Sequence, residues 1–287
     1  MRNTFMILAA GAALACAPCF GFEAQGSFDR TLKVTGRVDL DVQTGSGQIE
    51  VRAGSSSTVT IHAKIRVREG VFGADSAEQR VRAIESNPPI QQNGNVIRIG
   101  HMDDPELRRG VSIAYELSVP AETKLRANTG SGHVTIDAIR GPVSTETGSG
   151  EVTISNIGDE VRAHTGSGRM ELDSIKGTVD AHTGSGSIRG SQIAGRITAS
   201  TGSGGVHLEQ TGSGDIKANT GSGGITIHPP AQAGFELRAH TGSGPITVDR
   251  PMTLRGTISR HDVMAKVDGG GNTIVDVRTG SGSIRIE

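Results

Sequence analysis

Glu146, His164 and His182 lie eighteen residues apart, and each immediately precedes a Thr-Gly-Ser-Gly tetrapeptide. Two imidazoles and a carboxylate are competent zinc ligands. If successive units stack as β-strands, the three side chains stand about 4.8 Å apart along one outward face. The same spacing counts against them, because three rungs span about 9.6 Å at the Cα atoms, wide for one ion. A row of outward polar residues on a solvated sheet accounts for them without metal, so the expectation is no metal and no cofactor.

Other chemistries fit the residues less well. Glycan cleavage needs clustered carboxylates, whereas Glu146 and Asp180 fall two units apart with no acidic partner. No Ser–His–Asp arrangement can be assembled. None of the glycine-rich tetrapeptides continues into a phosphate loop or a dinucleotide fingerprint. Stacked calcium repeats need an Asp at each corner, which these tetrapeptides lack. No catalytic residue is expected, and the chain reads as a non-enzyme.

The elements that would position this row follow from the repeat. Thr-Gly-Ser-Gly begins at Thr44, Thr129, Thr147, Thr165, Thr183, Thr201, Thr211, Thr220, Thr241 and Thr279. From Thr129 to Thr201 every step is 18 residues; in-register copies then follow at Thr220 and Thr241, and Thr279 comes 38 residues later. A fixed period of this size marks a stacked-repeat architecture. Around each copy the apolar residues alternate, as in Val161, Ala163 and Thr165 before the tetrapeptide and Met170 and Leu172 after it. Alternation of period two means strands with one buried face. The residue two before each Thr is almost always Ala, which implies a thin interior where two sheets approach. Each unit is thus a strand, a glycine turn, a second strand and a corner at an Ile such as Ile175 or Ile193.

Hairpins would join such units into an antiparallel meander, but identical residues at identical corners favour parallel stacking. The expected fold is all-β: a right-handed, single-stranded β-solenoid with coils of about 18 residues. Seven coils from Lys124 to Val248 would form a rod of roughly 33 Å. The structural turns would be Gly130, Gly132, Gly148, Gly150, Gly166, Gly168, Gly184, Gly186, Gly202 and Gly204. Glycine there accepts positive φ and lets neighbouring corners approach closely.

Three segments are expected. Residues 1–21, with Arg2 before the apolar run Phe5–Ala15, read as a secretion signal cleaved after Gly21. The alternative is a lipoprotein signal anchoring the chain through Cys16. Both cysteines lie in this segment, so a mature chain from Phe22 has no disulfide, and the apolar run is too short to span a membrane. Residues 22–123 form an N-terminal β region with a helix inserted near 75–86, where Ala74, Ala77, Val81 and Ile84 share one face, Asp75 or Ser76 caps the start and Pro88 ends it. Residues 124–287 form the repeat solenoid, continuous with that region.

Composition agrees with a narrow core. The chain has 42 Gly, one Tyr, six Phe and no Trp, so a wide aromatic core is impossible, while Val and Ile fill regular inward places. A net charge of −1 without a basic block excludes nucleic acid or anionic lipid bound by general electrostatics.

The stretch "RRGVSIAYELSVPAETKLRANTGSG", the helix ending "ESNPPI" and the closing "DGGGNTIVDVRTGSGSIRIE" resemble the bacterial putative-adhesin family of β-strand repeats, a domain of unknown function. The resemblance covers nearly all of the chain after the signal. It implies a right-handed β-solenoid in secreted or envelope proteins and brings no catalytic residues. The expected function is therefore an exported, non-enzymatic binding or structural surface in the periplasm or at the cell surface. Its partner would be an envelope protein or a glycan. The alternatives are an envelope sensor or assembly scaffold, and a glycan-active enzyme.

Overall fold

The structure, a computed structural model, describes residues 22–69, 74–254 and 259–287. The expected signal and Cys16 lie outside the described residues. Two long sheets, of 12 and 13 strands, face each other across a thin core. Each coil contributes one strand to each sheet, and the coils stack in parallel register to form a β-solenoid.

Val161–Ser167, for example, lies in the 13-stranded sheet, and Met170–Ile175 crosses to the other. Val161 is registered with Val143 on one side and Val179 on the other, and Thr165 with Thr147 and Thr183. The inward column Ala127, Ala163, Ala181, Ala199 and Ala218 is fully buried. Its small side chains let the sheets approach, while Ile154, Leu172, Ile188 and Leu208 fill the space from the opposite side. Full burial of one such aliphatic side chain contributes about 1.5–3 kcal/mol.

The corner after the second strand is built on Ile139, Ile157, Ile175 and Ile193, all buried. The residue before each has left-handed backbone: Ala138 (φ 62°), Asn156 (57°), Ser174 (56°) and Gln192 (52°). In the central coils left-handed geometry therefore sits at this corner, while at the tetrapeptide it is found in the last glycine of other coils, Gly47, Gly204, Gly223, Gly244 and Gly282. Among the ten turn glycines from Gly130 to Gly204 named above, only Gly204 has a left-handed φ, 147°.

What those glycines share is crowding. A Cβ on Gly148, Gly166, Gly184 or Gly202 would lie 2.5–2.6 Å from the carbonyl oxygen of the first glycine one coil earlier. A Cβ on Gly150, Gly168 or Gly186 would come closer still to the preceding coil's second glycine. The buried Thr of each tetrapeptide completes the corner. Thr165 Oγ1 donates to the Gly150 carbonyl (3.2 Å), Thr201 to Gly186 (2.9 Å) and Thr220 to Gly204 (2.9 Å). Carbonyls at the turn, where the strand ladder breaks, thereby gain a partner.

The stack does not follow chain order at its ends. The coil Val38–Ala53 lies directly against the coil Thr123–Asp137, and the residues between them extend both sheets on its other side. There Val111–Val119 and Val96–Ile99 pair in parallel with that coil, Thr58–Glu69 and then Phe22–Lys33 add to one sheet in antiparallel pairing, and Ile90–Asn93 adds to the other through a hairpin turned at Asn93–Gly94. The helix spans Ala74–Ser86, and its buried Ala77, Val81 and Ile84 pack toward Phe22–Lys33 and Thr58–Glu69.

At the other end, Thr273–Ser281 lies between Ile216–Ser222 and Phe235–Ser243. The Thr279 unit is thus inserted ahead of the Thr241 unit, which corrects the expectation that coils up to Val248 stack in order. Asp262–Val267 and Met252–Leu254 then close that sheet in antiparallel pairing. Among the described residues no helix is long and apolar enough to cross a membrane.

Candidate functional site

Outward side chains on the 13-stranded sheet form two parallel columns. The residues just before the tetrapeptide Thr give Asn128, Glu146, His164, His182, Ser200 and Asn219. Two residues earlier, the second column reads Arg126, Ser144, Arg162, Asp180, Thr198 and Lys217. Strand alternation turns both columns to solvent, and the parallel register repeats them at every rung.

Glu146, His164 and His182 therefore stand on consecutive rungs as the sequence implies. The structure does not gather them around one point: among the described residues no group of three or more His, Cys, Asp or Glu side chains is arranged to hold a metal ion. His182 instead turns along its own strand, with Nε2 2.6 Å from Asp180 Oδ1. Arg162 does the same toward Glu160 (3.0 Å). These two pairs run along the chain and do not link one rung to the next, whereas Lys124 links its rung to Asp39 (3.0 Å).

The face is shallow. A groove of about 180 Å³ crosses Arg126, Asn128, Glu146, Arg162 and His164. A second, about 530 Å³, lies where Met102 and Arg108 rise beside the glycines Gly45, Gly130 and Gly148. A third, about 290 Å³, is lined by Arg98, Lys124, Arg126 and Arg162 together with Asp39 and Asp41. These grooves adjoin one another toward the N-terminal end of the face.

Acid–base pairs occur elsewhere on the surface. His62 meets Asp29 at 2.6 Å and His240 meets Asp262 at 2.6 Å. The His240 contact, with Ser259, holds the Asp262 carboxyl below its ordinary value. The Ser259 hydroxyl donates to Asp262 (3.2 Å) and not to the imidazole. Each of these histidines is paired with an aspartate.

On the opposite sheet, Asn156 Nδ2 (2.8 Å) and Ser155 Oγ (2.7 Å) donate to Asp137, and hold its carboxyl below the ordinary 3.8. Ser191 donates to Asp173 at 2.5 Å in the same way. These bonds link neighbouring rungs.

A family model described as Toastrack DUF4097 matches residues 39–287. Similar solved structures include a putative adhesin from Bacteroides fragilis NCTC 9343, 14% identical, covering 91% of this chain and 97% of that one with a TM-score of 0.47. Another is a putative cell adhesion protein from Clostridium sporogenes ATCC 15579, 14% identical, covering 92% and 99% with a TM-score of 0.29. No curated protein matches the chain.

Proposed function

The chain belongs to the Toastrack DUF4097 family, and from that premise we propose that it is an exported, non-enzymatic β-solenoid serving as an adhesin-like binding surface of the bacterial envelope. The observation that carries this reading is the outer face of the 13-stranded sheet. Two columns of Arg, Asn, Ser, Glu and His repeat there rung after rung, unlinked across rungs by the ion pairs of Arg162 and His182. A repeated row of polar groups at fixed spacing suits an extended polar partner laid along the rod, such as an envelope glycan or a protein segment. The grooves at its N-terminal end give such a partner a place to start. Export rests on the apolar segment of residues 5–15.

The test is face-specific binding to envelope fractions by protein comprising residues 22–287. The triple variant Glu146→Ala/His164→Ala/His182→Ala, on the proposed face, should bind at least tenfold more weakly. Thr135→Ala/Thr153→Ala/Glu171→Ala, on the opposite sheet, should bind as the parent does. Equal binding by both variants refutes the assignment of the face, and recovery of the natural protein from the cytoplasm refutes the envelope.

A further inference from the structure

The regular ladder breaks once inside the solenoid. Gln210 occupies the place that Ile139, Ile157, Ile175 and Ile193 hold in earlier coils, and its partner across the ladder is Ile193. An additional Thr-Gly-Ser-Gly follows at Thr211, and the next in-register coil comes 19 residues on instead of 18. At this break a groove of about 740 Å³ opens on the outer face of the 12-stranded sheet, bounded by Pro229, Pro230 and Arg250.

Two histidines line it. His207 and His228 lie on adjacent strands, diagonal to each other, because Thr226 is registered with His207 and Glu209 with His228. Their ring centroids are 5.0 Å apart with planes inclined at 62°. Glu287, on the next rung, places Oε2 3.3 Å from His228 Nδ1. The other oxygen of Glu287 is paired with Arg285, which holds the carboxylate beside His228, where a carboxylate can orient a metal-bound imidazole. Glu209 follows His207 on the same face of the same strand.

Gln210, inward on the same strand and 2% exposed, closes the floor of the break: its Nε2 donates to the carbonyls of Gly195 (2.8 Å) and Gly214 (3.1 Å).

We infer that His207 and His228 form a site for a divalent transition metal of the zinc type, with Glu287 positioning His228 and with water completing the coordination. Imidazole suits such ions, and a site keeping open positions needs few protein ligands. Among the described residues no group of three or more His, Cys, Asp or Glu is arranged to hold a metal ion, so the ion would bring its remaining ligands as water. The site is independent of the binding face proposed above, which lies on the other sheet.

The test is calorimetric titration of tag-free protein, residues 22–287, with Zn²⁺ alone at neutral pH. One equivalent should bind, with saturation well below millimolar. His207→Ala and His228→Ala should each weaken affinity at least tenfold, and Glu287→Gln by roughly tenfold or more through loss of the orienting carboxylate. Both histidines are surface residues, and unchanged melting of the metal-free variants shows that folding is retained. His164→Ala/His182→Ala should bind zinc as the parent does. Absence of saturable binding, or binding that survives both His207→Ala and His228→Ala, overturns the site. So does loss in the His164/His182 variant with retention in the other two.

Discussion

Gly168 carries a hydrogen where other residues carry Cβ, and the Gly150 carbonyl occupies the space a methyl would need. The obstruction is backbone, so neither coil can yield without breaking ladder bonds on both sides. Gly168→Ala should cost about 2 kcal/mol or more, read as a lower denaturant midpoint at unchanged slope. Ser167→Ala, at an exposed side chain of the same turn, should stay within about 0.5 kcal/mol. The sequence pointed to these glycines as turns through their period, but the reason for glycine was only half legible. The close approach of stacked corners was expected from the period and is what the central glycines show, whereas positive φ, expected at all ten, is found among them only at Gly204. The outward row of Glu146, His164 and His182 was legible because strand alternation alone fixes its direction. His207 and His228 escaped that reading because they are 21 residues apart and occupy different places relative to their tetrapeptides.

The helix Ala74–Ser86 shows what element-scale pattern can and cannot tell. Its buried face was plain from the spacing of Ala77, Val81 and Ile84, but its docking site depends on Gly26, far away in sequence. A Cβ on Gly26 would collide with Val81 and Glu85, so only glycine lets the helix settle on Phe22–Lys33. That strand ends the 12-stranded sheet, with no further strand beyond it among the described residues. Unpaired strand edges invite association with other chains. Here the backbone N–H of Ser27 donates to Glu85 Oε1 (2.9 Å), and Arg30 donates to the Glu85 carbonyl (3.4 Å). The end of the helix thus covers the middle of the edge. Glu85→Ala should free it and raise the dimer and higher-order fraction in light scattering at fixed concentration, while the charge-preserving Glu85→Asp should have a smaller effect. A strictly monomeric Glu85→Ala protein would show that the contact does not guard the edge.

Across the whole molecule, the period announced a solenoid, and uniform rungs make one coil interchangeable with the next. Removal of residues 165–182 joins Thr147 and Thr183 rungs that each already pair with an identical neighbour. The shortened protein should fold with the same cooperative transition and a slightly lower midpoint. If the rod serves as a spacer in an envelope scaffold, partner binding should persist in this deletion, whereas a binding face that includes His164 and His182 should lose affinity. The order of rungs at the C-terminal end was not legible, because every tetrapeptide offers the same backbone and the same inward residues to any neighbour. Only the antiparallel pairing of Phe235–Ser243 with Asp262–Val267 sets that rung outermost. This insertion has a consequence in time. A chain that emerges from its N-terminus presents Phe235–Val248 before the Thr273–Ile286 coil that must separate it from Ile216–His228 exists. The earlier rung must wait, or dock against the wrong neighbour and later be displaced. The final coil would thus be a bolt slid home last, and in pulsed proteolysis of refolding protein residues 235–287 should become resistant after residues 123–228.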